Sequence, residues 1–222
     1  MITFEDIKNS EEIKAYIKKG NQVLYSLGYT EHSFSHVGVV RENAVKILKA
    51  FAKENNISER DIELCKIACY MHDIGNCINR VEHAQSGAVM AFTILNKMGM
   101  NPVEIADICS AIGNHDEETG QSISYITAAL IIGDKCDVRR SRVQVQNRAY
   151  NIHGRVNFAV TNSEITVNEA LKSITLNITI DTSICSVTDY FEIFLKRMLM
   201  CKKAADFLGG TFHLEINNSK LL

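Results

Sequence analysis

Between residues 36 and 134, six histidines and aspartates recur at intervals of about one helix length. They are His36, His72, Asp73, His83, His115 and Asp134. The adjacent pair His72-Asp73 ends an apolar run, where burying both side chains is costly unless a partner compensates each of them. A buried hydrogen bond could explain one such pair. Because the other members lie on or beside separate apolar helices, the pattern favours a metal site built between facing helices.

The residue types also restrict the ion that such a site would bind. Neutral imidazole and carboxylate groups suit borderline divalent metals such as Fe, Mn, Co, Ni or Zn. We therefore expect one or two divalent transition-metal ions as cofactors, with positions left open for water and substrate.

The same residues resemble those of a known family. His36, the pair His72-Asp73, and Asp134 within the segment GDKCD are similar to the motif of the HD superfamily of metal-dependent phosphohydrolases. His83 in HAQSGA and His115 in GNHDEETG resemble the two additional histidines of members that bind two metals. The resemblance covers roughly residues 20–150.

This resemblance implies roles for the six residues. The first ion would be held by His36, His72, Asp73 and Asp134. Asp73 would bridge to a second ion held by His83 and His115, and His72 and Asp73 would be the catalytic pair. Some relatives have a further histidine where this chain has Asp116, which is either another ligand or a cap of its loop. The implied reaction is hydrolysis of a phosphate ester, since a bound divalent cation lowers the pKa of its coordinated water toward about 7.

Basic residues near these ligands are candidates for holding the substrate phosphate. They are Lys135, Arg139, Arg142, Arg80 and His32. The first three fall at i, i+4 and i+7, which is one stripe of a helix that carries Asp134 and continues past Arg142. A solvated basic face is the alternative for this stripe. For His32, one turn before His36, the alternative is a capping or surface role.

The chain departs from the family pattern after the His-Asp pair. Many relatives read HDxGK, with a lysine that contacts phosphate, whereas this chain reads HDIGN and has Asn76 at that place. Another cation would then take the lysine's role, or the substrate would carry less charge. The chain also lacks the GYP-type signature after His115, which argues against hydrolysis of cyclic di-guanylate.

Three functions of different classes follow from these residues. The leading one is a metal-dependent phosphohydrolase that cleaves a nucleotide or another small phosphate ester. The second is a di-iron oxygenase on the same helical scaffold, which oxygen uptake would reveal. The third is a non-catalytic metal-binding or nucleotide-binding regulatory module, which would contain metal without turning over any phosphate ester.

Apolar periodicity and capping residues predict the helices that position the ligands. The predicted helices cover residues 10–28, 33–54, 59–73, 83–98, 102–114, and 123 to beyond 142. Ser10, Ser58 with Asp61, and Asn101-Pro102 are start signals. Gly75 is expected to stop the third helix as a C′ glycine.

Near Asn151 the period changes to two residues, which is typical of strands. Strands are predicted at 156–160, around 165–167, at 174–180 and at 212–216, with a turn at Asn162-Ser163 and a helix over 187–208. The expected fold is mainly α, an HD-type helical bundle over residues 1–150 with a small β-β-β-α-β-like α+β appendage over 151–222. We expect this appendage to pack on the bundle and to supply no metal ligand.

The composition excludes some classes of partner. Of the 222 residues 46% are hydrophobic, ample for a core, and the formal charge of −2 gives no strong nucleic-acid signal. No apolar run approaches the length of a membrane span, and the acidic start is not typical of a signal peptide.

Seven cysteines without CxxC spacing predict reduced thiols in a cytoplasmic protein. The expected partner is a small phosphorylated substrate, and the polar, uncharged outer face of the sheet makes a homodimer conceivable.

Overall fold

The structure is a computed structural model that describes residues 1–144 and 152–222. The predicted boundary between residues 150 and 151 falls outside the described residues. The division into two domains at that point therefore stays a prediction.

Within the described ranges the chain forms ten α-helices and four strands, which confirms the mainly α class with a small C-terminal sheet. The helices are α1 (Phe4–Asn9), α2 (Glu11–Ser26), α3 (Phe34–Ala50), α4 (Ala52–Asn55), α5 (Glu59–Met71), α6 (His83–Lys97), α7 (Pro102–Gly113), α8 (Tyr125–Lys135), α9 (Ile152–Ala159) and α10 (Val187–Phe207). The strands are β1 (Val160–Asn168), β2 (Ser173–Ile180), β3 (Thr211–Ile216) and β4 (Ser219–Lys220). Two 3-10 turns cover Ile74–Cys77 and Arg140–Arg142.

The predicted helix starts are formed by side-chain caps. Ser10 accepts a hydrogen bond from the backbone of Ile13, and Ser58 with Asp61 forms a complete capping box. Asn101 caps α7, whose first residue is Pro102. The short helix α1 was not predicted, although its own capping box, Thr3 with Asp6, is a signal that the sequence offers.

The expectation that Gly75 ends a helix as a C′ glycine is wrong. Helix α5 ends at Met71, and Gly75 lies in the 3-10 turn that follows, without a positive φ. A Cβ at this position would come within 2.0 Å of the carbonyl oxygen of His83 and 2.5 Å of the amide nitrogen of Gly87. Gly75 is therefore required for close packing of the turn on α6.

The predicted continuation of the sixth helix past Arg142 is also wrong. Helix α8 ends at Lys135, and Arg142 belongs to a separate 3-10 turn. The carboxylate of Asp137 accounts for the ending, because it is completely buried and receives hydrogen bonds from His36 and Arg139. Consequently Lys135, Arg139 and Arg142 do not form one helical stripe.

The C-terminal segment has one strand fewer before its long helix than predicted. Residues 152–159 form α9, and β1 begins at Val160 and continues through Asn162 and Ser163, with an irregular register where a turn was expected. The three-residue alternation of Val156, Phe158 and Val160 is too short to separate a strand period from a helical one.

The sheet has the order β1-β2-β3-β4. β1 pairs antiparallel with β2, β2 pairs parallel with β3 through the crossover helix α10, and β3 pairs antiparallel with β4. Helix α10 packs on β2 and β3 and also on α8, which carries Asp134. Buried residues of the bundle and of the sheet form one continuous apolar core. The C-terminal segment is thus in direct contact with the part of the bundle that holds the predicted site.

Candidate metal centre

The six predicted ligands converge from elements on or directly after five helices. His36 lies on α3, His72 and Asp73 follow α5, His83 begins α6, His115 follows α7, and Asp134 lies on α8. The four histidines and Asp73 are buried, and Asp134 is nearly so. Five of them, all except His83, belong to groups whose ligand atoms lie within 4.8 Å of one another, close enough to hold a metal ion.

Each of the four histidines is oriented by a hydrogen bond at Nδ1. The acceptors are an Asp137 carboxylate oxygen for His36 (2.7 Å) and the backbone carbonyls of Cys69 for His72 (2.8 Å), Arg80 for His83 (3.0 Å) and Ile112 for His115 (2.6 Å). A carbonyl only accepts, so Nδ1 carries the proton and a neutral ring has its lone pair on Nε2. This arrangement of the second ring nitrogen is typical of histidines that bind metals.

Asp73 lies between two pairs of histidines. Its Oδ2 atom is 3.3 Å from Nε2 of His72 and 3.8 Å from Nε2 of His36. Its Oδ1 atom is 3.4 Å from Nε2 of His83 and 3.8 Å from Nε2 of His115. Each carboxylate oxygen therefore faces a different pair, which is the geometry of a ligand shared by two cations.

The first histidine pair, His36 and His72, has donor atoms that suit a bound cation. Oδ1 of Asp134 is 3.2 Å from Nε2 of His36 and 3.7 Å from Nε2 of His72, yet both nitrogens are buried without a hydrogen bond. Lone pairs that face carboxylates repel them unless a proton or a metal ion lies between. Because Nδ1 already holds the proton of each ring, these residues fit a divalent metal ion.

The second histidine pair, His83 and His115, suits a bound cation for similar reasons. Nε2 of His83 is 3.2 Å from Nε2 of His115, although neither ring has a second proton to share when neutral. The Arg80 guanidinium lies 3.2 Å from Nε2 of His83, so one positive charge already stands beside this pair. Asp116 lies 3.9 Å from the same nitrogen, while its other oxygen accepts the backbone amide of Glu118. Asp116 thus caps its loop with one oxygen and faces the histidine pair with the other.

The pKa values describe the charge of the metal centre. Burial alone would lower the pKa of His72, but the carboxylates of Asp73 and Asp134 outweigh it and raise that pKa to about 10. Burial opposes ionisation of Asp73, yet His72 and His115 hold its pKa well below the usual range. The first pair thus lies in a field that attracts positive charge. Burial lowers the pKa of His83 to about 4, so its ring is neutral at pH 7.

Two neighbours orient the ligands, and one of them was missed by the sequence reasoning. Asn76 is buried and donates hydrogen bonds to Oδ1 (2.8 Å) and to the backbone carbonyl (3.1 Å) of Asp73, so it supports the ligand from behind. Asp137, which was not predicted, orients the ring of His36. The signal was present as the second aspartate of GDKCD, three residues after Asp134.

The structure separates the predicted basic residues. Lys135 is buried between Asp134 (2.7 Å) and Glu117 (3.1 Å), and it lines the recess above the metal ligands. Arg142 lines the same recess and is buried. Arg139 is bound to Asp137 and lines other surface depressions, away from this recess.

A cavity of about 480 Å³ opens next to this recess. Arg80, Arg142 and His32 line both spaces. The ring of His32 donates from Nδ1 to the carbonyl of Thr30 (2.6 Å), and His32 belongs to a group with His36 and Asp73 that could hold a metal ion. Burial and the nearby Arg142 keep the pKa of His32 well below its usual value. The inner end of the cavity is therefore cationic and adjoins the metal ligands.

Two further residues of this wall were missed by the sequence reasoning. Glu117 follows the predicted ligands in the loop after α7, and Arg197 comes from α10. They form an ion pair at 3.1 Å, and both line the cavity. Burial would raise the pKa of Glu117, but Lys135 and Arg197 lower it to about 2.

A helical bundle with a buried histidine and aspartate centre defines the class of protein. The family model described as HD domain matches residues 31–149, which is more than half of the chain. The chain therefore belongs to the HD domain family, a superfamily of metal-dependent phosphohydrolase type. This confirms the resemblance to the HD superfamily.

Two relatives are similar over part of their length. The protein named uncharacterized protein MJ1020, from Methanocaldococcus jannaschii, is 28% identical over 173 residues, which is 69% of this chain and 66% of that protein. The chain thus spans slightly less than two thirds of this relative. The crystal structure of a predicted HD superfamily hydrolase from an uncultured Thermotogales bacterium is 27% identical, covering 58% of this chain and 67% of that chain with a TM-score of 0.43.

None of the helices in residues 1–144 and 152–222 combines the length and the apolar character needed to cross a bilayer. All seven cysteines are free thiols.

Proposed function

We propose that this protein is a metal-dependent phosphohydrolase that cleaves a nucleotide or another small phosphate ester. One observation carries the proposal, namely that four histidine Nε2 atoms and two carboxylates converge at the cationic end of a cavity. A metal centre that only stabilised the fold would have no need of an adjoining cavity. The division of Asp73 between two histidine pairs supports two ions.

The size and charge of the cavity support this class of substrate. Its volume of about 480 Å³ lies within the range of about 300–1,000 Å³ that is usual for small-molecule sites. Arg80 and Arg142 at its inner end can bind phosphate oxygens, which guanidinium groups grip in bidentate fashion. We propose that they replace the lysine that many relatives carry where this chain has Asn76. The phosphate would then lie inward and the remainder of the substrate outward.

The protein's own residues would orient the reacting groups. Bound divalent ions would supply Lewis acidity and a water activated at neutral pH. Asp73 holds its two oxygens toward the two histidine pairs, and Asn76 restrains it from behind. His72 presents Nε2 from a ring that is fixed at Nδ1. Lys135 binds the outer oxygen of Asp134, so the inner oxygen stays directed at His36.

The decisive experiment begins with elemental analysis of protein purified without oxygen. The metal-free protein is then reconstituted separately with Mn, Co, Ni, Fe and Zn and tested on a panel of phosphate monoesters, phosphodiesters and nucleotides. We expect release of phosphate that depends on the metal and disappears in Asp73→Ala. Asp107→Ala, which changes an exposed aspartate on α7, is the matched control.

The same experiment separates the alternative functions. Oxygen uptake by the iron-loaded protein, without phosphate release, would instead indicate a di-iron oxygenase. Bound metal without turnover of any substrate would indicate a regulatory module. Either result would refute the proposed hydrolysis.

We also propose a cytoplasmic location and retain the homodimer as a proposal. Seven free thiols, five of them buried, suit a reducing compartment. Fractionation of the native host and light scattering of the purified protein test these two points.

A further inference from the structure

Arg197 is the cation that the C-terminal segment contributes to the wall around the metal ligands. It lies on α10, and it lines both the cavity and the recess that contains Asp73 and Asp134. Its side chain is 21% exposed, so it is mostly desolvated but still open to the cavity. The C-terminal segment, whose described residues belong to no group that could hold a metal ion, therefore still reaches the site.

The hydrogen bonds of Arg197 leave part of its guanidinium available. Nε donates a hydrogen bond to an oxygen of Glu117 at 3.1 Å, and Nη2 forms an ion pair with the same oxygen at 3.1 Å. Nη1 makes no hydrogen bond to the part of the chain that the structure describes. The guanidinium also stacks on the ring of Phe194, 4.9 Å from the ring centroid, and this contact fixes the plane of the guanidinium. Arg197 is thus held in position while retaining donors for a ligand.

The charges around Arg197 favour an anion once metal is bound. Asp134, Lys135, Glu117 and Arg197 form a chain of alternating negative and positive charges. When Asp134 neutralises part of a metal ion's charge, the two cations are left with only Glu117 as their carboxylate. The remaining positive charge faces the recess beside the metal ligands. An oxyanion bound there would neutralise this remaining positive charge.

We propose that Arg197 binds a phosphate oxygen of the substrate and that Glu117 is the residue that positions it. This inference rests on the proposed function and extends it, because it assigns part of the phosphate site to the C-terminal segment. The sheet and α10 would accordingly be part of the substrate site as well as support for the bundle. The ligand class is a small phosphate ester whose phosphate enters between α10 and the α5–α6 loop.

The test uses the full-length protein loaded with metal and measures the binding of inorganic phosphate by calorimetry. Arg197→Gln should weaken phosphate binding about tenfold to a hundredfold, as expected for the loss of charge-assisted hydrogen bonds. Arg197→Lys should recover part of the loss. Lys196→Gln removes the same charge from the adjacent, exposed position of the same helix and should change the affinity less than twofold. The metal content of every variant is measured in parallel.

Glu117→Gln separates ligand binding from a purely structural anchor. If Arg197 only tied α10 to the bundle, Glu117→Gln and Arg197→Gln would weaken phosphate binding and thermal stability alike. If Arg197 binds phosphate, Glu117→Gln should leave the affinity equal or higher at the same metal content, because the amide oxygen of glutamine can still accept the hydrogen bond that positions Arg197 while the competing negative charge is gone. Equal losses in the two variants would overturn the inference, as would unchanged phosphate affinity in Arg197→Gln.

Failure of this inference differs from failure of the proposed function. A wild-type protein that hydrolyses phosphate esters, with a KM that Arg197→Gln leaves unchanged, would refute the role of Arg197 and keep the function. A wild-type protein that hydrolyses none of them, but whose phosphate affinity falls in Arg197→Gln, would keep the anion site and refute the hydrolysis.

Discussion

At the scale of residues, the site depends on which atom of each side chain faces the centre. Hydrogen bonds at Nδ1 direct four Nε2 atoms inward, and Asp73 presents one oxygen to each histidine pair. The candidate ligands are thus oriented in advance, so binding of an ion would lose little side-chain entropy. Loss of a shared ligand and loss of a ligand from one pair should therefore have different effects.

His83→Ala should lose mainly one of two ions, while Asp73→Ala should lose both and reduce turnover to background, because only Asp73 faces both pairs. Metal per chain, measured by elemental analysis after desalting, distinguishes the variants. A His83→Ala protein that keeps two metals per chain and full activity would show that the two-metal assignment is wrong.

Asp137→Asn should weaken metal binding by about 10- to 100-fold, the usual cost of losing a hydrogen-bonding partner behind a metal-bound histidine. The ring of His36 would lose the carboxylate that receives its Nδ1 proton. Competition with a chromophoric chelator measures the affinity. Asp206→Asn, an exposed aspartate on α10, should have no effect. An affinity equal to that of the wild type would remove Asp137 from the site.

At the scale of elements, the junction between α5 and α6 sets the spacing of the ligands. The 3-10 turn after Asp73 packs on the first turns of α6, with Gly75 against the carbonyl of His83 and the amide of Gly87. The residue before His83, Glu82, has φ of 56°, a left-handed conformation that is uncommon outside glycine. The backbone is thus held tightly where two ligands enter the site.

Gly75→Ala should therefore lower the free energy of unfolding by about 1–3 kcal/mol or more, since a Cβ would overpack this contact. It should also weaken metal binding, because His83 must move. Gly38→Ala is the matched control on α3, where a Cβ would meet no atom within 4 Å. That change should raise stability by roughly 0.5–1 kcal/mol, as expected for alanine in a helix. Urea denaturation of both variants tests the difference, and equal stabilities would contradict the packing role of Gly75.

At the scale of the whole molecule, α10 connects the sheet to the candidate metal centre. It packs on α8 and on β2 and β3, and its Arg197 reaches Glu117 beside the ligands. Other bonds cross between the segments, from Lys46 to the carbonyl of Ile165 and from Asn55 to the carbonyl of Leu208. The apolar core is shared.

A chain that ends at residue 150 should keep the metal ligands but lose solubility, because apolar surface that α10 covers on α8 would be exposed. Size-exclusion chromatography and metal analysis of the truncated protein test this. A truncated protein that stays soluble, metal-loaded and fully active would show that the C-terminal segment is an independent module.

The sequence by itself determined the features that depend on local interactions. Helix starts follow from caps such as Ser58 with Asp61, which bond within one turn, and the core faces follow from apolar periodicity. That these side chains could hold a metal ion was predictable as well, since histidine and aspartate at the ends of apolar helices need a compensating charge. These signals require only neighbours along the chain.

The tertiary structure alone decided which other side chains reach the site. Asp137 meets His36 across 101 positions of sequence, and Arg197 meets Glu117 across 80. The end of α8 at Lys135 likewise depends on the buried carboxylate of Asp137 and its contact with His36 of α3, which helical propensity does not encode. An alternation of only three apolar residues could not separate α9 from a strand. The parallel pairing of β2 with β3 depends on where α10 packs. Such contacts are set by packing in three dimensions, so no local sequence pattern predicts them.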